Sequence, residues 1–66
     1  MELNLYDIVR IKSTGETGFV TDISWDEDGD VSQYLVEKDK ESADGSHETV
    51  WLYPEEVKYV MNKGLT

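Results

Sequence analysis

Asp26, Asp28 and Asp30 recur at every second position, and Glu37 stands at position twelve of the same count. Carboxylates at positions 1, 3, 5 and 12 are the oxygen-ligand spacing of a helix-flanked calcium loop. The chemistry would be chelation of a hard cation. Position 6, where such a loop needs glycine for its sharp turn, is Val31, and Gly29 falls at position 4. The flanks read as strands, so Glu37 would have to leave strand pairing to close the site. Asp26, Glu27, Asp28 and Asp30 therefore read as a solvated acidic hairpin tip around Gly29. Neither a metal nor another cofactor is expected.

Catalytic chemistry has less to work with. His47 is the single histidine, with Ser46 and Glu48 beside it. Neighbours on an extended chain point to opposite sides, so the three form no triad. Asp7, Asp22, Glu55 and Glu56 fall near predicted strand ends, but no second polar group is fixed near any of them, as acid–base catalysis requires. Cysteine is absent, which removes a thiol nucleophile, a thiolate zinc site and a disulfide scaffold together. No catalytic residue is named, and the chain is not expected to be an enzyme.

Seven aromatics in 66 residues are better placed to bind. In the run 48–53, Val50 and Leu52 share one face and Trp51 and Tyr53 the other. With the first pair inward, Trp51 and Tyr53 become an exposed aromatic patch, and Trp25, at a strand end beside the acidic tip, is expected to join them. Aromatic faces beside carboxylates suit a cationic ligand, a Lys/Arg-rich peptide or a methylated lysine. The competing use of these rings is to cover the open ends of a small core.

Those side chains need a scaffold, and the runs between turn residues supply one. Residues 6–12, 17–25, 33–38, 48–53 and 58–61 read as five short strands separated by Gly, Asp and Ser. Gly15 can take positive φ in the turn 13–16. Val20 and Ile23 are an odd number apart, so a bulge lies between them if both face the core. Pro54 ends the fourth strand and opens a single 3₁₀ turn. Residues 39–47 carry no large apolar side chain and read as a flexible loop; 62–66 read as a tail. The expected core is Val9, Ile11, Val20, Ile23, Val36, Val50, Leu52 and Val57. Residues 1–66 thus form one all-β domain, its core spanning about 5–61.

Within this frame, Asp7-Ile8-Val9-Arg10-Ile11, the turn at Gly15, and Gly18-x-Val20-x-x-Ile23 resemble the KOW-type opening of SH3-like barrels. Tyr34-x-Val36-Glu37 and Leu52-x-Pro54-Glu55-Glu56-Val57 resemble the later part of the same barrels. The resemblance covers about residues 5 to 60. It implies a five-stranded SH3-like barrel with a short 3₁₀ turn before the last strand, most similar to small bacterial SH3-like and Tudor-like proteins. Leu5-Tyr6-Asp7 also resembles the start of eukaryotic SH3 domains, whose tryptophan pair and proline-binding tyrosines are not matched here.

Charge decides among the roles such barrels play. The net charge is −9, from 15 acids and 6 bases. Ten of the acids fall in residues 22–48 with only Lys38 and Lys40. The remaining bases, Arg10, Lys12, Lys58 and Lys63, read as scattered. KOW domains that bind nucleic acid do so with basic loops, where this chain has its acids, so nucleic acid is an unfavoured partner. The segment Met1-Glu2-Leu3-Asn4 lacks a basic region followed by an apolar run, so no leader is expected. No apolar stretch approaches the roughly 18 residues of a membrane span. A cytoplasmic location fits these features and the missing cysteines. The expected function is a non-catalytic protein-interaction module that binds a basic protein or peptide through Trp51, Tyr53 and Trp25 with Asp26, Glu27, Asp28 and Asp30. The alternative is an acidic inhibitor or immunity-type protein that imitates nucleic-acid phosphates.

Overall fold

The computed structural model describes residues 3–62. Met1, Glu2, Lys63 and the rest of the expected tail lie outside them. The elements are β1 (Asp7–Ile11), β2 (Thr17–Trp25), β3 (Val31–Glu41), β4 (His47–Leu52), one 3₁₀ turn (Pro54–Glu56) and β5 (Val57–Asn62). Asn62, expected in the tail, closes β5. All strands pair antiparallel in one sheet of order β4-β3-β2-β1-β5, so β4 and β5 are its open edges. Among the described residues no helix is long and apolar enough to cross a membrane.

Alternation within the strands sorts side chains to two faces. One inner row runs Val20–Val36–Val50 and the next Ile23–Tyr34–Leu52. Across β1 and β5, Ile11 faces Val57 and Val9 faces Tyr59. Leu3, Val9, Ile11, Val20, Tyr34, Val36, Leu52 and Val57 are buried together. Ile23 and Val50, expected in the core, are half-buried and pack against it. Leu3 and Tyr34 are core residues not expected from the sequence, although Tyr34 stands two before Val36 and shares its face. The expected bulge is present: the β2–β3 register shifts between Val20 and Asp22, leaving Thr21 as the extra residue. That extra residue turns Val20 and Ile23 to the same face.

Gly15 takes φ +78° in the turn before β2. Gly18 serves close approach instead: a Cβ there would lie 2.4 Å from the Glu37 carbonyl oxygen and 2.8 Å from Val36 Cγ1. The loop expected over 39–47 is a correction. Residues 39–41 belong to β3 and His47 to β4, leaving a tight hairpin in which the Ser42 N–H donates to the Ser46 carbonyl at 2.7 Å. Both faces of this hairpin meet water, so the segment pairs as strand without any apolar alternation.

The 3₁₀ turn seats β5. The Glu56 carboxylate accepts the Tyr53 N–H at 2.8 Å, and the Glu56 carbonyl accepts the Lys12 N–H at 2.9 Å, tying the turn to the end of β1. At the opposite end of β1, buried Asp7 accepts the Asn4 N–H at 2.7 Å and an Asn62 amide N–H. Tyr6, between them, holds φ +69°, a conformation L-residues seldom adopt.

Candidate interaction surface

Because β-partners share a face, the outer side of the sheet can be read row by row. Trp51, Leu35 and Asp22 form one row across β4, β3 and β2. Thr49, Glu37, Phe19, Ile8 and Met61 form the next, across all five strands. Trp51 is 43% exposed and Met61 53%; Leu35, Phe19 and Ile8 between them are half-buried. These two rows form an apolar strip with two carboxylates, Asp22 and Glu37, set among its rings and alkyl groups, and the row beyond, Thr17, Arg10 and Lys58, carries two cations on the same face. Ile8, Phe19, Leu35 and Met61 were not singled out from sequence. Their signal was present as apolar residues on both alternating faces of β1, β2 and β3.

Tyr53 is 52% exposed, one residue beyond β4 at the start of the 3₁₀ turn. Trp25 is 58% exposed but does not join Trp51. It pairs with Val31, whose side chain packs on the core cluster, so Trp25 stands on the inner side at the end of the sheet. Trp25 stands two residues after inward Ile23 and shares its face by alternation, and the register shift there leaves Ser32 of β3 as the extra residue, which brings Val31 to the same face.

The acidic tip is also apart from Trp51. Asp30 is five residues along β3 from Leu35, roughly 16 Å of strand. Within the tip, Asp26 Oδ1 accepts the Asp28 and Asp30 N–H groups at 2.9 and 3.0 Å, so this carboxylate holds its own turn. Glu37 lies six residues beyond the start of β3, roughly 20 Å from the tip, and the twelve-position chelating loop is not assembled. Among the described residues no three His, Asp or Glu side chains gather as metal ligands.

Several other acids are engaged locally. Lys38 Nζ lies 2.6 Å from Glu48 and 3.3 Å from Glu16, joining β3, β4 and the turn before β2. Its hydrogen bond to Glu48, and then that to Glu16, raise the Lys38 pKa above the usual lysine value. The Thr14 hydroxyl, then Lys38, hold the Glu16 carboxyl below its ordinary value. Asp44 is lowered by the Ser46 hydroxyl and backbone N–H. His47, expected to be a solvated loop residue, is tied down: its Nδ1–H donates to the Lys38 carbonyl at 2.8 Å, and Nε2 stands 3.9 Å from Glu41.

Comparison with protein-family models, curated proteins and solved structures finds no match for this chain.

Proposed function

We propose that this chain is a non-catalytic protein-interaction module on an SH3-like barrel, and that it binds a basic protein or peptide through the outer face centred on Trp51. The strand order and the single 3₁₀ turn leading into β5 support the barrel reading, as does the tie between that turn and the end of β1. The observation that carries the functional reading is the row Trp51–Leu35–Asp22, with Glu37 in the row beside it. The Asp22 carboxylate accepts the Ile23 N–H at 2.8 Å, and among the described residues neither it nor Glu37 makes an ion pair, so an exposed indole near them attracts ammonium and guanidinium groups by its ring face and by charge together. Trp51 also sits on an edge strand, where an extended peptide can pair with the free backbone while its basic side chains reach Asp22 and Glu37.

The phosphate-mimic alternative needs carboxylates in one continuous stripe. Here Glu16 and Glu48 hold Lys38, Asp26 and Asp44 hold their own turns, and the two acidic hairpins close opposite ends of β3. That arrangement favours the interaction-module reading. Titration of the protein with an Arg/Lys-rich peptide, followed by amide NMR shifts, tests it. Saturable shifts along residues 33–37 and 49–52 are expected, and shifts confined to the two hairpins would overturn it.

A further inference from the structure

Only six side chains of this chain are cationic, and three of them leave one corner of the fold. Arg10 and Lys58 are direct partners across β1 and β5, so both stand on the outer face side by side, and both are exposed. Lys12 follows two residues after Arg10, just past β1, with its N–H on the Glu56 carbonyl. The sequence reading of scattered bases therefore fails for these three. Among the described residues, the ion pairs are made by Lys38 and His47, and none by Arg10, Lys12 or Lys58. Like charges directly opposite each other destabilise a strand pair, so Arg10 and Lys58 together favour an anion from outside.

The same face carries its acids elsewhere. Asp22 lies on β2 in the row of Trp51, and Glu37 on β3 in the row of Phe19. Asp39, which accepts the Thr17 hydroxyl at 3.0 Å, extends the row of Thr17, Arg10 and Lys58 onto β3. The outer face is thus polarised, with acids on β2 and β3 and cations on β1 and β5. The apolar strip of Trp51, Leu35, Phe19, Ile8 and Met61 runs through both halves. Glu37 and Arg10 are two strand spacings apart, roughly 10 Å across the sheet. The whole strip spans four spacings, roughly 19 Å, which an extended segment crosses in about six residues.

The overall charge of −9 does not reach the cationic end at full strength. Arg10 pairs with Thr17 at the start of β2, whereas the acidic tip 26–30 follows the end of that strand. Eight steps of strand are roughly 26 Å, about three screening lengths at physiological salt.

We propose that the partner of this face is a bipolar peptide segment, basic at one end, apolar in the middle and carboxylate-bearing at the other end. The basic end sits beside Trp51 on Asp22 and Glu37. The middle crosses Leu35, Phe19 and Ile8, and the acidic end reaches Arg10 and Lys58. This assignment rests on the reading of the Trp51 face as a site for basic groups, and gives that site a direction. Arg10 and Lys58 also act by repulsion, because a uniformly basic segment long enough to cross the face meets two cations there.

Two amidated peptides of equal length are the probes, titrated into the ¹⁵N-labelled protein at physiological salt. Both begin with two arginines followed by alternating leucine and threonine; one ends in two glutamates, the other in two glutamines. Both should shift amides along 33–37 and 49–52. The glutamate peptide alone should add saturable shifts at Ile8, Arg10, Lys58 and Met61. Arg10→Gln with Lys58→Gln should lower the affinity of the glutamate peptide relative to the glutamine peptide about threefold or more, the scale of two exposed ion pairs. Comparing the two peptides on each protein cancels the effect of net charge and isolates the contact. Lys40→Gln, an exposed cation on another part of the sheet, should leave the ratio unchanged. Arg10 and Lys58 are exposed, so the double variant should keep its amide dispersion. The same ratio in wild type and double variant, with shifts confined to 33–37 and 49–52, would overturn the bipolar partner and leave the Trp51 reading standing. No saturable shift with either peptide would remove both. Shifts on this face that grow with protein concentration alone would make a second copy its occupant and overturn the proposal.

Discussion

The Leu3 N–H donates to the Tyr34 hydroxyl at 3.0 Å, a buried hydrogen bond between residues 31 apart. It fixes the segment before β1 onto the centre of β3 and lets a phenol sit 1% exposed in the core. Tyr34→Phe would keep the ring and leave the Leu3 N–H without this acceptor. The expected cost is about 1–3 kcal/mol, that of a buried unsatisfied donor, measured by urea unfolding. A loss under about 0.3 kcal/mol would mean that water replaces the hydroxyl.

Val20 and Leu52 are buried on different inner rows. Val20→Ala or Leu52→Ala should cost on the order of 1–4 kcal/mol, through lost burial and the cavity left behind. For 66 residues the total stability to draw on is only about 3–10 kcal/mol. Ile23→Val, at a half-buried site, should cost less than either. If unfolding midpoints ranked Ile23→Val as the most damaging, the assignment of rows would be wrong.

Gly18 and Gly15 make opposite demands. Alanine at Gly18 puts its Cβ against the Glu37 backbone and the Val36 side chain, so β2 and β3 must separate. Alanine at Gly15 meets nothing within 4 Å and bears only the strain of φ +78°. Gly15→Ala should cost about 1 kcal/mol, and Gly18→Ala about 2–3 kcal/mol with broadened β2–β3 amide signals. Equal costs would remove the close-approach account.

These positions show what could be read from sequence and what could not. Strand order aside, the five strands, the 3₁₀ turn at Pro54 and the Thr21 bulge follow from alternation, proline and one odd spacing. Trp25 was misplaced although it stands two residues after Ile23 and so shares its inner face; its position at a strand end beside the acidic tip was read instead of that alternation. Tyr34 shares the face of Val36 two residues on, but the partner that lets its hydroxyl be buried, the Leu3 N–H, comes from a segment with no strand signal. The 39–47 hairpin was read as a loop because strands with two wet faces lose their period. The Arg10–Lys58 pairing is set by the β1–β5 register, a contact between distant segments that composition cannot encode.

The bridge from Lys38 to Glu48 and Glu16 predicts a pH window. Glu16 is lowered from 4.5, so its contribution is present above that value and fades as pH falls through the folded pKa. Lys38 is raised from 10.5, so its contribution is complete below that value and is lost as pH rises through the folded pKa. Lys38→Met should therefore lower the urea midpoint at pH 7 by a small amount, as exposed pairs contribute little. The difference from wild type should shrink as pH falls below 4.5 and as it rises above 10.5. A gap of constant size across that range would assign the loss to packing of the lysine stem instead.

Partner sign is the sharpest test of the proposed function. Ten of the fifteen acids lie in residues 22–48, and the one basic cluster of the described residues holds three charges. Neutralising about three phosphates gives a shallow salt slope and weak contact, against long-range repulsion from a net −9. Duplex DNA or RNA should show no binding below about 100 µM at physiological salt, a range that includes ordinary non-specific affinities. A basic peptide should bind, with affinity falling as salt rises, because its contacts are exposed ion pairs and cation–π pairs. Trp51→Ala should weaken that binding more than Asp22→Asn or Glu37→Gln, since a partly desolvated aromatic anchor outweighs rim charges. Trp25→Ala should leave it unchanged, because Trp25 stands on the other side of the sheet. Fluorescence titration of the four variants with one Arg/Lys-rich peptide, beside a gel shift with one duplex, decides the matter. Micromolar duplex binding would reverse the charge argument, and equal losses at Trp25 and Trp51 would remove the outer face as the binding surface.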